Sequence, residues 1–159
     1  MEESSDGLIY LCGGEIDAGE FSVEIWSENL NPDLITGLLG KPPTEAHRKG
    51  DTFGPRAREY SYGQWATRTG RIEFRNGKSC EASFDDFVRS LPGDEALWRQ
   101  LSSEHETRML IVLRMRTWNR EFDLSPFALG ELARRQLRLH IDTFLEVDED
   151  EAAGDVAEE

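Results

Sequence analysis

The sequence predicts a single α+β domain, with a mainly antiparallel sheet and helices packed on one face. Three observations predict it. A chain of 159 residues has the length of one domain, since chains of about 150 residues bury about 68–70% of their unfolded surface. Its 38% hydrophobic and 9% aromatic content can build a core and excludes a wholly disordered chain. Stretches of period-2 alternation are interleaved with short helical patterns that carry their own caps.

Each element follows from local chemistry. Leu8 to Cys12 reads as an edge strand before Gly13-Gly14, and Phe21-Ser-Val-Glu-Ile-Trp26 alternates as a half-buried strand does. Asn31-Pro32 supplies an N-cap and a first-turn proline for a helix carrying Leu34, Ile35, Leu38 and Leu39, stopped by Gly40 and Pro42-Pro43. Residues 41–58 read as one long loop, a length that is uncommon in a compact domain and is usually either functional or mobile. Strand character returns at Tyr60, Tyr62 and Trp65 and again at Ile72 and Phe74, and Asn76-Gly77 marks a turn. Ser83 is expected to cap a helix with Phe84, Phe87, Val88 and Leu91 on one face, ended by Pro92-Gly93. A helix with Leu97, Trp98 and Leu101 follows. Thr107 to Trp118 is expected to be a strand with Met109, Ile111, Leu113 and Met115 on one face. Ser125-Pro126 opens a helix ending near Arg135, and Leu137, Leu139, Ile141 and Leu145 mark a last strand.

The segments 30–39 and 124–133 share one pattern: an apolar residue, an N-cap, proline, then a short apolar-striped helix. As a repeat, they imply two β-α-β units in one antiparallel sheet, a ferredoxin-like arrangement. Any short Pro-capped helix also shows this pattern, so both readings stand.

The formal charge is −14, and its position matters more than its size. Of 32 acids, six lie in residues 1–20 and eight in 146–159, where no Lys or Arg occurs; the remaining 18 face 18 Lys plus Arg. The chain therefore divides into an acidic N-terminal segment (1–20), a formally neutral α+β domain (21–145) and an acidic tail (146–159) too poor in apolar residues to order itself. No run of about 18 apolar residues crosses a membrane, and no signal-peptide pattern opens the chain. Cys12 and Cys80 read as buried free thiols in a reducing compartment, so the expected location is the cytoplasm. Neither nucleic acid nor membrane is an expected partner.

Motifs for strong chemistry are absent: no nucleotide-binding glycine loop, no nucleophile elbow, no paired-histidine zinc motif and no Cys-x-x-Cys. No catalytic residue, metal ligand or cofactor is assigned. His47, His105 and His140 read as ordinary histidines, Asp85-Asp86 as acids favouring a helix N-terminus, and Arg134, Arg135 and Arg138 as helix C-terminal dipole partners. The candidate binding residues are Arg48, Lys49, Asp51, Arg56 and Arg58, which together suit an anion or an acidic surface, although a mobile solvated loop accounts for them too and is the preferred reading. Trp65 and Trp118 join them, because tryptophan is enriched at interface hot spots, although most tryptophans in a domain of this size are core residues and Trp118, after two arginines at a strand end, is the one expected to be exposed.

Lys41-Pro42-Pro43-Thr44, Arg48-Lys49-Gly50-Asp51 and Gly63-Gln64-Trp65 after a Pro-capped helix are similar to the bacterial family called domain of unknown function 4279. The closing Leu137-Arg-Leu-His-Ile-Asp142 also resembles that family's last strand, and the likeness covers about residues 20–145. It implies a compact α+β domain and brings no catalytic residue with it.

Three functional readings follow, and the first is preferred. One is a non-catalytic protein-binding domain, of the immunity or antitoxin type, steered by its acidity onto a basic partner protein. Another is a small-ligand or enzymatic domain using the loop 41–65, which requires a cavity holding Lys49, Asp51 or Trp65 beside a perturbed acid or histidine. A homodimer paired at a sheet edge is a third reading.

Overall fold

Two ten-residue strands set the architecture: Glu106–Met115 alternates in burial, and Ala18–Ser27 is buried along most of its length. The computed structural model describes residues 13–146 apart from positions 76 and 118. In chain order the elements are β1 (Ala18–Ser27), α1 (Pro32–Leu39), β2 (Glu45–His47), β3 (Thr52–Phe53), β4 (Arg58–Glu59) and β5 (Gly63–Arg68). Then come β6 (Ile72–Glu73), α2 (Cys80–Arg89), α3 (Glu95–Glu104), β7 (Glu106–Met115), α4 (Pro126–Arg134) and β8 (Arg138–Leu145). The main sheet runs β2-β5-β1-β7-β8, with β6 pairing the start of β1 and β3-β4 forming a separate hairpin. Every neighbouring pair is antiparallel except β7–β8.

β1-α1-β2 is a β-α-β unit split by β5, and β5 to β7, through α2 and α3, is a second one split by β1. The four strands β2-β5-β1-β7 therefore have the ferredoxin-like order. The second Pro-capped helix does not belong to that pair. It is α4, which carries the chain from β7 to a parallel β8 and so adds an unsplit third unit. The resemblance between segments 30–39 and 124–133 thus reflects shared capping, because the two helices hold different places in the sheet.

Phe21, Val23 and Ile25 of β1, Trp65 of β5 and Met109, Ile111 and Leu113 of β7 are buried on one face. They meet Ile35, Leu39, Phe84, Val88, Trp98, Leu101, Ala128 and Leu132 of the helices in one core. Phe21 and Phe84 meet edge to face at 5.0 Å between centroids, a geometry that aromatic quadrupoles favour. The opposite face of the sheet carries Glu20, Ser22, Glu24, Arg68, Arg108 and Arg114 by the same alternation. Glu24 is buried there, receiving Arg108 Nε at 2.7 Å while the guanidinium lies over Trp26 at 5.0 Å.

Caps define the helix ends. Asn31 accepts from Asp33 N, and Gly40, at φ +61°, closes α1 in the left-handed region. Only Ile35 and Leu39 of the expected stripe are buried; Leu34 and Leu38 are 65% and 47% exposed, because this two-turn helix meets the sheet along one edge. The α2 cap is Ser79 and not Ser83: Ser79 Oγ accepts from Ala82 N, while Ser83 Oγ donates to Ser79 O within the first turn. Asp85 and Asp86 consequently lie in the second half of α2, where the dipole does not favour them. Asp85 instead accepts from Ser125 Oγ at 2.6 Å, and Ser125 caps α4, so one carboxylate ties two helices together. α4 ends in a Schellman turn, Leu137 N to Leu132 O and Gln136 N to Ala133 O, with Gln136 at φ +55° where glycine is the usual residue. Arg135, expected at that dipole, is buried; it donates to Pro92 O and pairs with Glu131.

The expected long loop 41–58 is ordered as β2, β3 and β4. The packed unit also passes both charge boundaries. Ile16 and Ala18 are core residues. Glu146 N donates to Met115 O at 2.7 Å, and its carboxylate is held by Arg71. The edge strand expected at Leu8–Cys12, Cys12 itself, Trp118, Asn76 and the acidic run from 147 onwards lie outside the described residues.

Candidate functional site

The segment 41–65 is built outward from the edge of the sheet. Thr44 N donates to Ala66 O at 2.8 Å and Thr44 Oγ1 accepts from Arg68 N, which starts the β2–β5 pairing. After β2 the chain turns at Arg48–Asp51, where Arg48 N donates to Asp51 Oδ2 at 2.7 Å and Asp51 N to Arg48 O. Gly50 at φ +88° permits that turn. The hairpin of β3 and β4 follows, and two further bonds extend it at its base, Gly50 N to Tyr60 O and Tyr60 N to Asp51 O, each 2.9 Å.

An aromatic stack anchors the hairpin. His47 is buried, on the helix-free face opposite Gln64, and Tyr60 lies over it at 3.4 Å between centroids and 7° between planes. Phe53 meets the other ring, Tyr60, at 4.4 Å, and Tyr62 meets His47 at 5.7 Å. Phe53 and Tyr62 remain 41% and 40% exposed. A shallow cavity of about 340 Å³ at the hairpin tip is lined by Phe53, Gly54, Pro55, Arg56 and Arg58.

The candidate binding residues separate into three groups. Arg48 pairs with Asp33 and also reaches Asn31, and Lys49 pairs with Glu28, so both cations brace the hairpin base. The Lys49 ammonium holds the Glu28 carboxyl below the usual carboxylate range. Asp51 makes the turn. Trp65 is 1% exposed, with Nε1 donating to Thr36 Oγ1, so it is a core residue that no partner can touch. Arg56 and Arg58 are exposed and have no carboxylate partner among the described residues, whereas Arg68, Arg71, Arg89, Arg99 and Arg108 do. Trp118 lies outside the described residues. The aromatic cluster of His47, Phe53, Tyr60 and Tyr62 is not apparent from sequence periodicity. Its one signal is Gly54-Pro55, a turn dipeptide between two short β-forming runs.

Other sites are less developed. The hairpin cavity contains none of Lys49, Asp51 and Trp65. Ser27 Oγ and His105 Nδ1 lie 2.9 Å apart, a nucleophile-and-base spacing, but among the described residues no carboxylate orients the His105 ring. On the helix-free face a depression of about 180 Å³ is lined by Glu20, Ser22, Arg68, Leu110, Arg114 and Phe144, whose acids and arginines are largely engaged with neighbours. Burial, with help from the Glu15 charge, pushes the Cys80 thiol up to about 12, away from reactivity at neutral pH. Among the described residues, no group of three or more His, Cys, Asp or Glu is placed to hold a metal ion.

The family model described as Domain of unknown function (DUF4279) matches residues 18–146. No curated protein and no solved structure gives a significant match.

Proposed function

The chain belongs to the family described as Domain of unknown function (DUF4279), and from that premise we propose that it is a non-catalytic protein-binding domain that docks through the hairpin at residues 52–59. One observation carries this reading. An exposed hairpin presents Phe53 beside two arginines that have no carboxylate partner among the described residues, on a base braced by Arg48, Lys49 and the His47–Tyr60 stack. Aromatic and arginine side chains are the residue types that dominate protein interfaces. Guanidinium groups select carboxylates, so the hairpin favours an acidic patch on the partner. The acidic ends of the sequence favour a basic one, and a partner with both would be held at two places.

The finer reading is an immunity- or antitoxin-type inhibitor acting in the bacterial cytoplasm by covering its partner's working surface. No helix among the described residues is long and apolar enough to cross a membrane, and the buried free Cys80 suits a reducing compartment. Affinity capture from the native host tests this. The wild-type chain should bring down one protein at unit stoichiometry, and Arg56→Glu with Arg58→Glu should weaken that complex about tenfold or more. Equal capture by both chains, or none by either, would count against the hairpin as the recognition element.

A further inference from the structure

The two edges of the main sheet are finished differently. β2 has only three residues and is overlaid by the hairpin, which is how proteins commonly protect an edge. β8 has eight residues and no proline or lysine, and among the described residues its outer edge pairs with nothing. Three of its apolar side chains are exposed: Ile141 at 40%, Phe144 at 47% and Leu145 at 36%. An unpaired edge of this kind is a template for another strand.

The sequence of β8 complements itself. In a sheet continued across a two-fold axis, the helices of both copies stay on one side only if each residue faces one of the same alternation, so the axis must pass through a residue. An axis through His140 pairs only residues 138–142 and sets His140 against its own copy. One through Asp142 opposes two carboxylates. An axis through Ile141 pairs residues 138–144 and opposes no like charges. It sets Ile141 on the partner's Ile141, His140 on the partner's Asp142, Leu139 on the partner's Thr143 and Arg138 on the partner's Phe144. The Ile141, His140–Asp142 and Arg138–Phe144 pairs are apolar, hydrogen-bonding and cation–π contacts of the kind that stabilise neighbouring strands. His140 and Asp142 already meet at 3.0 Å within one strand, so each is placed to extend that contact across the axis.

We propose that β8 pairs antiparallel with β8 of a second copy about an axis at Ile141, giving a homodimer with one continuous sheet. Sedimentation of the full chain should show twice the 18.1 kDa chain mass. Ile141→Lys should give a monomer with an unchanged circular dichroism spectrum. In a Cys12→Ser background, Ile141→Cys should oxidise to a disulfide-linked dimer, because directly opposed residues lie about 4.5–5.5 Å apart between Cα atoms. Asp142→Cys, opposite the partner's His140, should not. The Arg56→Glu/Arg58→Glu chain should remain dimeric, which separates this interface from the hairpin. A wild-type monomer, a dimer indifferent to Ile141→Lys, or equal cross-linking at both positions would each overturn the proposal. So would a monomer that dimerises only once residues 1–12 are deleted, since the chain's own first residues would then be the occupant.

Discussion

A Cβ on Gly63 would stand 2.4 Å from the Leu30 carbonyl oxygen and 3.1 Å from Leu30 Cβ, and the carbonyl belongs to backbone that cannot swing away. Glycine is therefore required where β5 passes under the turn before α1. Gly63→Ala should cost about 1–3 kcal/mol through overpacking, read as a lower midpoint in urea denaturation; an unchanged midpoint would show that the turn yields. The same reasoning applies to the other residues that carry the family likeness. Thr44 starts the edge pairing, Asp51 closes the turn and Trp65 fills the core while donating to Thr36. All of them were visible in the sequence as a pattern. Apart from the local turn that Asp51 closes with Arg48, their roles were not, because the contacts that define them come from residues distant in sequence, such as Thr36 for Trp65.

At the scale of elements, the helices were the legible part, since a cap, a first-turn proline and a glycine stop are all local signals. Segment 41–58 was not, because strands of two or three residues are too short to show a period. What holds that hairpin is the stack of Tyr60 between His47 and Phe53. Tyr60→Ala should therefore speed amide exchange across residues 50–60 by about tenfold or more, as local opening becomes easier. Global stability should fall far less, because the hairpin lies outside the main core. Exchange rates unchanged at 50–60 would mean that the backbone ladder alone suffices.

At the scale of the whole molecule, the charge of −14 belongs to the ends of the sequence, while the folded unit is laced with ion pairs. Glu146 is part of that unit, because Arg71 grips its carboxylate and lowers its pKa. A chain ending at Glu146 loses seven acids and keeps this anchor, so its side-chain charge becomes −7. Its denaturation free energy should stay within about 0.5 kcal/mol of the full chain, and partner affinity should be unchanged if the hairpin makes the contact. A large loss of affinity at constant stability would assign the recognition to the acidic run instead.

The α+β class, the existence of the helices and long strands and the placement of charge at the ends are encoded in neighbouring residues, through propensity and period. Which strands are neighbours, which strand stands at the sheet edge and which candidate side chains are available to a partner depend on the three-dimensional arrangement. Periodicity shows that a strand has an apolar face, but what covers that face is settled by pairing across tens of residues. Trp65 was thereby taken into the core, Arg56 and Arg58 were left on a hairpin with no carboxylate partner among the described residues, and β8 was placed at the rim of the sheet, where no other described strand covers its outer edge.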